Sequence, residues 1–369
     1  MKEPAVAVLG GGNGAFAHAS HLALLGHRVN LFELPEFEQN IASVRALGGI
    51  ELVPHGLDRL PKGFARLNLV STDPREALEG AEVVWVVVPA FAQTRFAEAC
   101  APYFHRDHIV VLTPGNGGSL EFVAVCDSLN GSELPTVAET DSMFYACKRT
   151  DSTQVTISGY KEGLGVAALP GTKAPEILPK LKQYYPELVG LNSIIETQLG
   201  NVNLVVHAPI FLLNVGYAES KQGFDFYHQG CTPSVGRIVE AVDRERMAVG
   251  QAAGLSLIAM CDWQIQVYGH QGAQGDTLTE VLATNPAYRG HRAPQSVQHR
   301  FLLEDIPYGM VTVEKFGVLV GVPTPITSAI ITIASGLLGV DLRQKGWDWR
   351  RIGIDNLSID EIKAFVGHR

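Results

Sequence analysis

The first half of the chain alternates short apolar runs with segments of helical character. Apolar runs of strand length occur at residues 5–9, 28–32, 83–88, 109–112 and 136–139. Helical character is found between them, at about residues 15–25, 36–47, 74–78 and 93–104. The run 83–88 is apolar throughout, which is typical of a strand buried on both faces of a parallel sheet. This alternation predicts an α/β fold with a Rossmann-type doubly wound sheet.

The character of the chain changes near residue 190. Before that point, the β-like runs 154–158 and 163–169 are separated by Gly-Tyr-Lys-Glu, which suggests an antiparallel hairpin that extends the sheet. Beyond it, long segments with few turn residues predict helices at about 196–220, 235–253, 255–268, 305–320 and 325–338. We therefore predict a Rossmann domain at residues 1–190 and an all-helical domain that binds substrate at 191–369.

A glycine-rich turn joins the first predicted strand to the first predicted helix. Its sequence, Gly-Gly-Gly-Asn-Gly-Ala, is typical of a dinucleotide-binding loop, although glycines also occur in ordinary βα loops. The first glycine permits the turn, the second lets the backbone approach a pyrophosphate, and the small residue lets the helix pack closely. The phosphates would lie at the positive end of the helix. The predicted cofactor-binding residues of this loop are Gly10, Gly12, Asn13, Gly14 and Ala15.

Three further residues are predicted to contact the nucleotide. Glu33 ends the second strand, where an acid can accept hydrogen bonds from the adenosine ribose. No Arg or Lys occurs between Glu33 and Ser43, which favours NAD(H) and leaves NADP(H) as a second option. Pro89 and Asn116 follow the strands at 83–88 and 109–112 and should line the cofactor crevice, unless their loops are ordinary connections.

Composition indicates an enzyme of the cytoplasm. The formal net charge of -9 and the lack of any Lys/Arg run argue against a nucleic-acid partner. The five cysteines are widely spaced and suggest free thiols, and no metal site is predicted. The first strand leaves no room for a signal peptide, and polar residues interrupt the apolar stretch 326–340, so no membrane partner is expected. A homodimer remains open.

Three residues of the second half have side chains suited to acid–base chemistry. His207 lies one helical turn after Asn203, so both project from one face of the predicted helix. Asp305 could fix the tautomer of a histidine, and Arg300 could grip a substrate carboxylate. Sequence spacing alone does not bring residues 207 and 305 together, and a single histidine is more often structural.

Several motifs of the chain resemble those of the opine dehydrogenase family, which includes octopine, nopaline and carboxyethyl-norvaline dehydrogenases. They are GGGNGA at 10–15, TPGNGG at 113–118, NVNLVVHAP at 201–209, Arg300 followed by EDIP at 304–307, and GVPTP at 321–325. The resemblance implies that His207, Asp305 and Arg300 are catalytic. It also implies reductive condensation of the amino group of an amino acid with a 2-oxo acid, pyruvate by analogy, using NAD(P)H, and the reverse oxidation.

The resemblance extends to substrate binding and leaves two rival functions. Asn203 is a candidate contact for substrate or nicotinamide, and Thr140, Ser142 and Cys147 are candidate contacts for the oxo acid, although a buried structural cysteine is common. One rival is a reductase of the ketopantoate or 6-phosphogluconate type, which uses a helical Lys that segment 196–220 lacks. The other is a nucleotide sensor without catalysis, which would need no proton shuttle.

Overall fold

The computed structural model describes residues 4–130 and 134–368, which form two compact units. The first unit extends to Ile194 and includes the end of the chain from Val366. The second unit comprises Ile195–Phe365. The division lies close to the boundary expected near residue 190, whereas the end of the chain, which was expected in the helical domain, belongs to the first unit.

The first unit contains two sheets. Its strands are β1 (Ala5–Leu9), β2 (Arg28–Phe32), β3 (Gly49–Pro54), β4 (Gly63–Arg66), β5 (Leu69–Ser71), β6 (Ala81–Val86), β7 (Ile109–Leu112), β8 (Thr136–Thr140), β9 (Tyr145–Asp151), β10 (Gln154–Tyr160), β11 (Gly165–Leu169) and β12 (Val189–Gly190). The large sheet has the order β5-β2-β1-β6-β7-β8-β11-β12. Its neighbouring strands are parallel except β8 and β11. This mixed sheet is the predicted Rossmann-type architecture.

The small sheet corrects one sequence prediction. Its order is β4-β3-β10-β9. The predicted hairpin between 154–158 and 163–169 is wrong, because β10 pairs with β9 in the small sheet while β11 pairs with β8 in the large one. The burial patterns give the reason: β11 is buried at every position, as suits the interior of a large sheet, whereas β10 alternates between buried and half-buried residues over most of its length.

The first helix packs against strands of both sheets. The helices of this unit are α1 (Asn13–Leu24), α2 (Ala42–Leu47), α3 (Pro74–Leu78), α4 (Ala90–Cys100), α5 (Ser119–Asn130) and α6 (Ala174–Leu181). Every residue of α1 from Gly14 to Leu22 is buried, because β1 and β2 of the large sheet and β3, β4, β9 and β10 of the small sheet contact it. The small sheet therefore brings its side chains close to the glycine-rich turn that precedes α1.

The second unit is helical, as predicted. Its helices are α7 (Ile194–Gly200), α8 (Asn203–Leu213), α9 (Val215–Glu219), α10 (Pro233–Ala252), α11 (Met260–Tyr268), α12 (Leu278–Thr284), α13 (Arg300–Leu303), α14 (Val311–Val320), α15 (Pro325–Leu338), α16 (Trp349–Ile352) and α17 (Ile359–His368), of which the first residue of α7 and the last turn of α17 are assigned to the first unit. The predicted helices at 235–253 and 325–338 are confirmed by α10 and α15.

Three predicted helices have different boundaries. The segment 196–220 is divided into α7, α8 and α9, and the side chain of Asn201 accepts a hydrogen bond from the N–H of Asn203 where α8 begins. Helix α11 starts at Met260 rather than residue 255, because the carboxylate of Asp243 accepts the Met260 N–H at 2.7 Å. The segment 305–320 opens with a π-helical turn, Asp305–Met310, before α14.

A buried ion pair joins three segments of the second unit. Arg246 of α10 is fully buried, and its guanidinium lies 2.7 Å from the carboxylate of Asp243. The same guanidinium donates to the carbonyls of Leu199 at 2.7 Å and Ile258 at 2.6 Å. Because the charge is paired and hydrogen-bonded, it fixes α7 and the segment before α11 against α10.

Neither a single membrane-spanning helix nor a metal-binding cluster occurs within the part of the chain that the structure describes. No single helix there has both the length and the apolar composition of a membrane span. The segments Pro325–Leu338 and Leu342–Ile352 reach that length and composition only when taken together, and they are bent by 97° relative to each other. No group of three or more His, Cys, Asp or Glu side chains within residues 4–130 and 134–368 is arranged to hold a metal ion. All five cysteines are free thiols.

Candidate active site

The glycine-rich turn provides an open face at the start of α1. Gly10 has a φ of 121°, and a side chain there would meet the carbonyl oxygen of Val87 at 2.7 Å. Gly12 is the N-cap residue of the twelve-residue α1, and a Cβ on it would have no neighbour within 4 Å. A phosphate therefore has room to reach the unpaired N–H groups of the first helical turn. The residues present fit the pyrophosphate of a dinucleotide.

The packing behind this turn requires further small residues. A Cβ on Gly14 would lie 2.8 Å from the sulfur of Met143 and 2.9 Å from a methyl group of Val87. Ala15 is fully buried, as expected for the residue where the helix packs against the sheet. Asn13 begins the helix, and its side-chain oxygen accepts a hydrogen bond from the backbone of Arg149.

Glu33 lies beside the turn at the end of β2. Its carboxylate accepts hydrogen bonds from the N–H of Leu34 at 2.9 Å and the amide of Asn40 at 3.2 Å, and also from the N–H of Gly11. Burial raises the pKa of Glu33, while the hydrogen bonds from Asn40, Leu34 and Gly11 oppose that shift. Glu33 thus lies beside the glycine-rich turn at the end of β2, and its contact with a ribose hydroxyl stays a prediction.

A cation that sequence reasoning missed lies on the other side of the turn. Arg149 of β9 donates from Nη1 to the carbonyl oxygen of Gly11 at 2.7 Å. Its guanidinium lies 4.0 Å from the ring centroid of Phe16. Residues 34–42, which follow Glu33, contain no Arg or Lys, and no sequence motif indicates that a residue of β9 reaches this place.

The loop after β7 is held by a carboxylate that was not predicted. Glu139 of β8 is fully buried and accepts hydrogen bonds from the N–H of Gly117 at 3.1 Å and from the backbone and hydroxyl of Ser119. Asn116, a predicted cofactor contact, is buried in this loop with a φ of 55°. Pro89 caps the start of α4. Both residues lie beyond the carboxyl ends of strands, where doubly wound sheets bind ligands.

The predicted oxo-acid contacts lie on two strands and in the loop between them. Thr140 ends β8 and Ser142 follows it, both are fully buried, and the Thr140 hydroxyl donates to the carbonyl of Ser142 at 2.8 Å. The hydroxyl oxygens of Ser142 and Thr113 have no hydrogen-bond partner among the described residues, so both can serve a ligand. Cys147 is half-buried on β9 and pairs with Ile157 in the small sheet. Cys147 therefore belongs to a different sheet from Thr140.

The histidine and the aspartate of the second unit meet directly. His207 lies on α8 and Asp305 opens the π-helical turn 98 residues later, yet Nδ1 of the imidazole is 2.8 Å from Oδ2 of the carboxylate. The exposed fractions are 5% for His207 and 7% for Asp305. With the carboxylate accepting the Nδ1 proton, the lone pair of a neutral imidazole is on Nε2. That nitrogen can act as a base.

The hydroxyl of Tyr227 is hydrogen-bonded to the second nitrogen of the His207 imidazole. Its hydroxyl lies 2.9 Å from Nε2 of His207, and its ring stacks on Tyr288 with centroids 3.9 Å apart. Burial raises the pKa of Tyr227 well above its ordinary value, so the phenol stays protonated and donates to Nε2. Phe301 stacks on the imidazole at 4.2 Å. Tyr227 lies in no recognised motif, in the irregular segment between α9 and α10, so no sequence signal identifies it.

Arg300 lies near this cluster with a more exposed side chain. It begins α13, its side chain is 41% exposed, and Nη1 lies 3.6 Å from the carboxylate of Glu304. Its charge is close enough to oppose the upward shift in the pKa of Tyr227. Asn203 is the first residue of α8 and is half-buried, one turn before His207. The cluster thus combines an oriented base with a cation able to hold a carboxylate.

Comparison with known proteins agrees with this geometry. Residues 190–338 match the family described as NAD/NADP octopine/nopaline dehydrogenase, alpha-helical domain. The opine dehydrogenase of Arthrobacter sp. (strain 1C) is 35% identical to this chain, and the match covers 98% of each chain. The chain belongs to the opine dehydrogenase family. This match confirms the family resemblance of the sequence motifs. The chain is therefore an NAD(P)-dependent oxidoreductase that acts on CH–NH donors.

Solved structures extend the comparison to the whole fold. An octopine dehydrogenase solved with NADH and L-arginine has a TM-score of 0.75 at 25% identity, covering 99% of this chain and 98% of that one. A ketopantoate reductase from Ralstonia eutropha has a TM-score of 0.59 at 18% identity, covering 90% and 99%, which shows a shared fold alone. The helices α7, α8 and α9 of this opine dehydrogenase contain no Lys, unlike the helix that the rival reductase would need.

Proposed function

We propose that this opine dehydrogenase joins pyruvate to the amino group of an amino acid and uses NADH to reduce the resulting imine to a secondary amine. The reverse oxidation would release the same two substrates. The observation that carries the proposal is the hydrogen-bonded series Asp305, His207 and Tyr227, because amine condensation needs a group that removes one proton and later returns it.

The proton on the amino substrate is the first requirement of this reaction. An ammonium has no lone pair, so it must lose a proton before its nitrogen attacks the carbonyl carbon. Nε2 of His207 accepts that proton, through the Tyr227 hydroxyl or after that hydroxyl moves aside. Asp305 stabilises the imidazolium that forms. His207 then returns the proton to the hydroxyl of the carbinolamine, which leaves as water and gives the protonated imine, an iminium that one hydride converts into the neutral secondary amine.

Arg300 is proposed to hold a substrate carboxylate. Both the oxo acid and the amino acid carry one, and a guanidinium binds a carboxylate through two parallel hydrogen bonds. The exposure of its side chain leaves Arg300 accessible to a small molecule, while His207 beside it is buried. Holding one substrate this way fixes the imine carbon and can lower the barrier by several kcal/mol.

The nucleotide is proposed to bind at the turn before α1. When bound, NADH supplies the hydride that reduces the imine. Gly10, Gly12, Asn13, Gly14 and Ala15 would surround its pyrophosphate, and the open face of Gly12 supports this placement. Glu33 would accept a ribose hydroxyl, which favours NADH over NADPH. Pro89 and Asn116 would line the remainder of the nucleotide site.

Four further residues are proposed to contact substrate, and the structure supports some of them better than others. Ser142 has a buried hydroxyl without a described partner and is the best supported. The Thr140 hydroxyl already donates to the Ser142 carbonyl, and Cys147 belongs to the small sheet. Asn203 shares a helix with His207 and is proposed to contact substrate. A cytoplasmic location is also proposed, because five free cysteines suit a reducing compartment. A homodimer and the absence of membrane or nucleic-acid partners are proposed as well.

The test of the proposed function is the identity of the product. The protein is incubated with NADH, pyruvate and an amino acid whose nitrogen is isotope-labelled, and the mixture is analysed by mass spectrometry. We expect a secondary amine that carries the label and the carbon skeletons of both substrates. Lactate as the main product would overturn the proposal. The variant His207→Gln, which replaces the imidazole with a polar amide that cannot act as a base, should form far less of the amine.

A further inference from the structure

Two opposite charges flank a single residue of the glycine-rich turn. The N–H of Gly11 donates to Glu33, and the carbonyl of the same residue accepts from Arg149. Glu33 ends β2, while Arg149 comes from β9 in the small sheet. The two side chains are near enough for their charges to interact, yet they form no ion pair within 4 Å in the described structure. A ligand group placed beside Gly11 would meet both charges.

We propose that Arg149 binds the 2′-phosphate of the nucleotide and thereby decides how well this chain accepts NADPH, the second cofactor in the family description, beside NADH. This inference rests on the proposed nucleotide site at the turn before α1. It adds a residue that decides cofactor choice and that the local sequence after β2 does not contain.

The guanidinium of Arg149 has hydrogen-bonding capacity left for an anion. An arginine carries five N–H groups. In the described structure, Nη1 uses one on the Gly11 carbonyl and Nη2 uses one on the Ser152 carbonyl at 3.3 Å, so three of the five remain. The guanidinium stacks on the ring of Phe16, 4.0 Å from its centroid, and the backbone N–H of Arg149 donates a hydrogen bond to the side chain of Asn13. The charge is therefore fixed in place before any ligand arrives, which favours phosphate binding.

The position of Arg149 favours the 2′-phosphate over the pyrophosphate. The pyrophosphate is served by the open face of Gly12 at the start of α1. Arg149 instead contacts Gly11, the residue that also contacts Glu33, and an acid at the end of the second strand marks the ribose 2′ position. A nearby arginine is the general means by which such sites accommodate a 2′-phosphate.

Glu33 does not forbid this binding mode. Its carboxyl is buried, and burial raises its pKa, so a proton is taken up more readily than by an exposed glutamate. A protonated carboxyl can donate to a phosphate oxygen instead of repelling it. With NADH, the same carboxylate accepts a ribose hydroxyl. The pair Glu33 and Arg149 can therefore serve both nucleotides.

The experiment compares NADH and NADPH affinities in four proteins. Dissociation constants are measured by fluorescence titration for the wild type, Arg149→Gln, Arg149→Lys and the control Lys148→Gln, which changes the exposed neighbour on the same strand. In Arg149→Gln we expect the dissociation constant for NADPH to rise roughly 10- to 100-fold while that for NADH changes by less than about threefold. Arg149→Lys should retain part of the NADPH affinity because it keeps the charge. Lys148→Gln should match the wild type.

Each contrary outcome has a distinct meaning. An equal loss of both affinities in Arg149→Gln would overturn the inference and make Arg149 a contact of the pyrophosphate or a support of the turn. Unchanged NADPH affinity would overturn it too, as would a wild type that binds NADH but not NADPH. A wild type that binds neither nucleotide would instead reject the proposed nucleotide site.

Competition by two nucleotide fragments distinguishes a lost contact with the 2′-phosphate from a general loss of folded structure in the Arg149 variant. Adenosine 5′-monophosphate and adenosine 2′,5′-bisphosphate differ by the 2′-phosphate alone, and each is titrated as a competitor of NADH. We expect Arg149→Gln to weaken the bisphosphate selectively. If both fragments lose affinity together, or if neither does, Arg149 does not read the 2′-phosphate. Thermal unfolding of each variant checks that the first unit remains folded.

Discussion

Acid should destabilise the first unit through a buried series of four side chains. His18 Nδ1 lies 2.7 Å from the hydroxyl of Tyr185, that hydroxyl lies 2.9 Å from the hydroxyl of Tyr145, and the latter lies 2.7 Å from Nδ1 of His21. The two phenols supply two protons to these three hydrogen bonds, and one imidazole supplies the third. Protonating the second imidazole would place two protons in one bond, so the series requires at least one neutral histidine.

The size of the effect follows from the two histidine pKa values. Burial lowers the pKa of His18 from 6.5 to about 3 and that of His21 from 6.5 to about 4. Below pH 6.5 the unfolded chain therefore binds protons that the folded chain does not, and stability falls as the pH falls towards those values. Between pH 8 and pH 5 each histidine should cost about 2 kcal/mol of unfolding free energy, or about 4 kcal/mol together.

One acid in the same unit titrates in the opposite sense. Burial raises the pKa of Asp141 to about 7, so this group favours the folded state increasingly as the pH falls from 8 to 5. The total pH dependence of the wild type therefore mixes both effects. Comparing the wild type with His18→Phe/His21→Phe removes the contribution of Asp141, because both proteins retain it.

The assay is urea unfolding at pH 8 and pH 5, followed by circular dichroism. We expect the wild type to lose about 4 kcal/mol more than the double variant between the two pH values. The control His55→Gln changes an exposed histidine and should behave as the wild type does. If the wild type and the double variant lose stability equally, the histidines are not held neutral by burial and the reasoning fails.

Three substitutions test the helical unit. His207→Ala should lower turnover about 10²- to 10⁴-fold with unchanged NADH affinity, and near-normal turnover in steady-state assays would remove it from the mechanism. Arg300→Ala should chiefly raise the KM of a carboxylate substrate, because a clamp is lost, and an unchanged KM would refute the clamp. Tyr227→Phe keeps the stacking on Tyr288 but removes the hydrogen bond to Nε2, so kcat should fall about tenfold. Equal kcat values for wild type and Tyr227→Phe would place the phenol outside the proton path.

The sequence predicted best what local patterns encode. The glycine-rich turn, the strand β6 and the helix α15 are each specified by neighbouring residues, through turn glycines, an apolar run that is buried from Val83 to Val86, and a helical apolar stripe. The division of segment 196–220 was missed, because few turn residues mark the breaks between α7, α8 and α9.

Pairing between distant segments was not predictable in the same way. The runs 154–158 and 163–169 are adjacent in sequence, yet their strands belong to different sheets. Arg149, Glu139 and Tyr227 reach their sites by such long-range packing, and nothing in their local sequence indicates it. The contact between His207 and Asp305 was expected through family resemblance, since residue spacing does not fix a distance across 98 positions.

The most direct test of the central claim is the substrate dependence of NADH oxidation. The protein is mixed with NADH and pyruvate, with NADH and single amino acids, or with NADH and both, and the absorbance of NADH is followed. The proposed reductive condensation predicts rapid oxidation only when pyruvate and a suitable amino acid are both present. Oxidation at the same rate with pyruvate alone would contradict it, because a carbonyl would then be reduced without an amine.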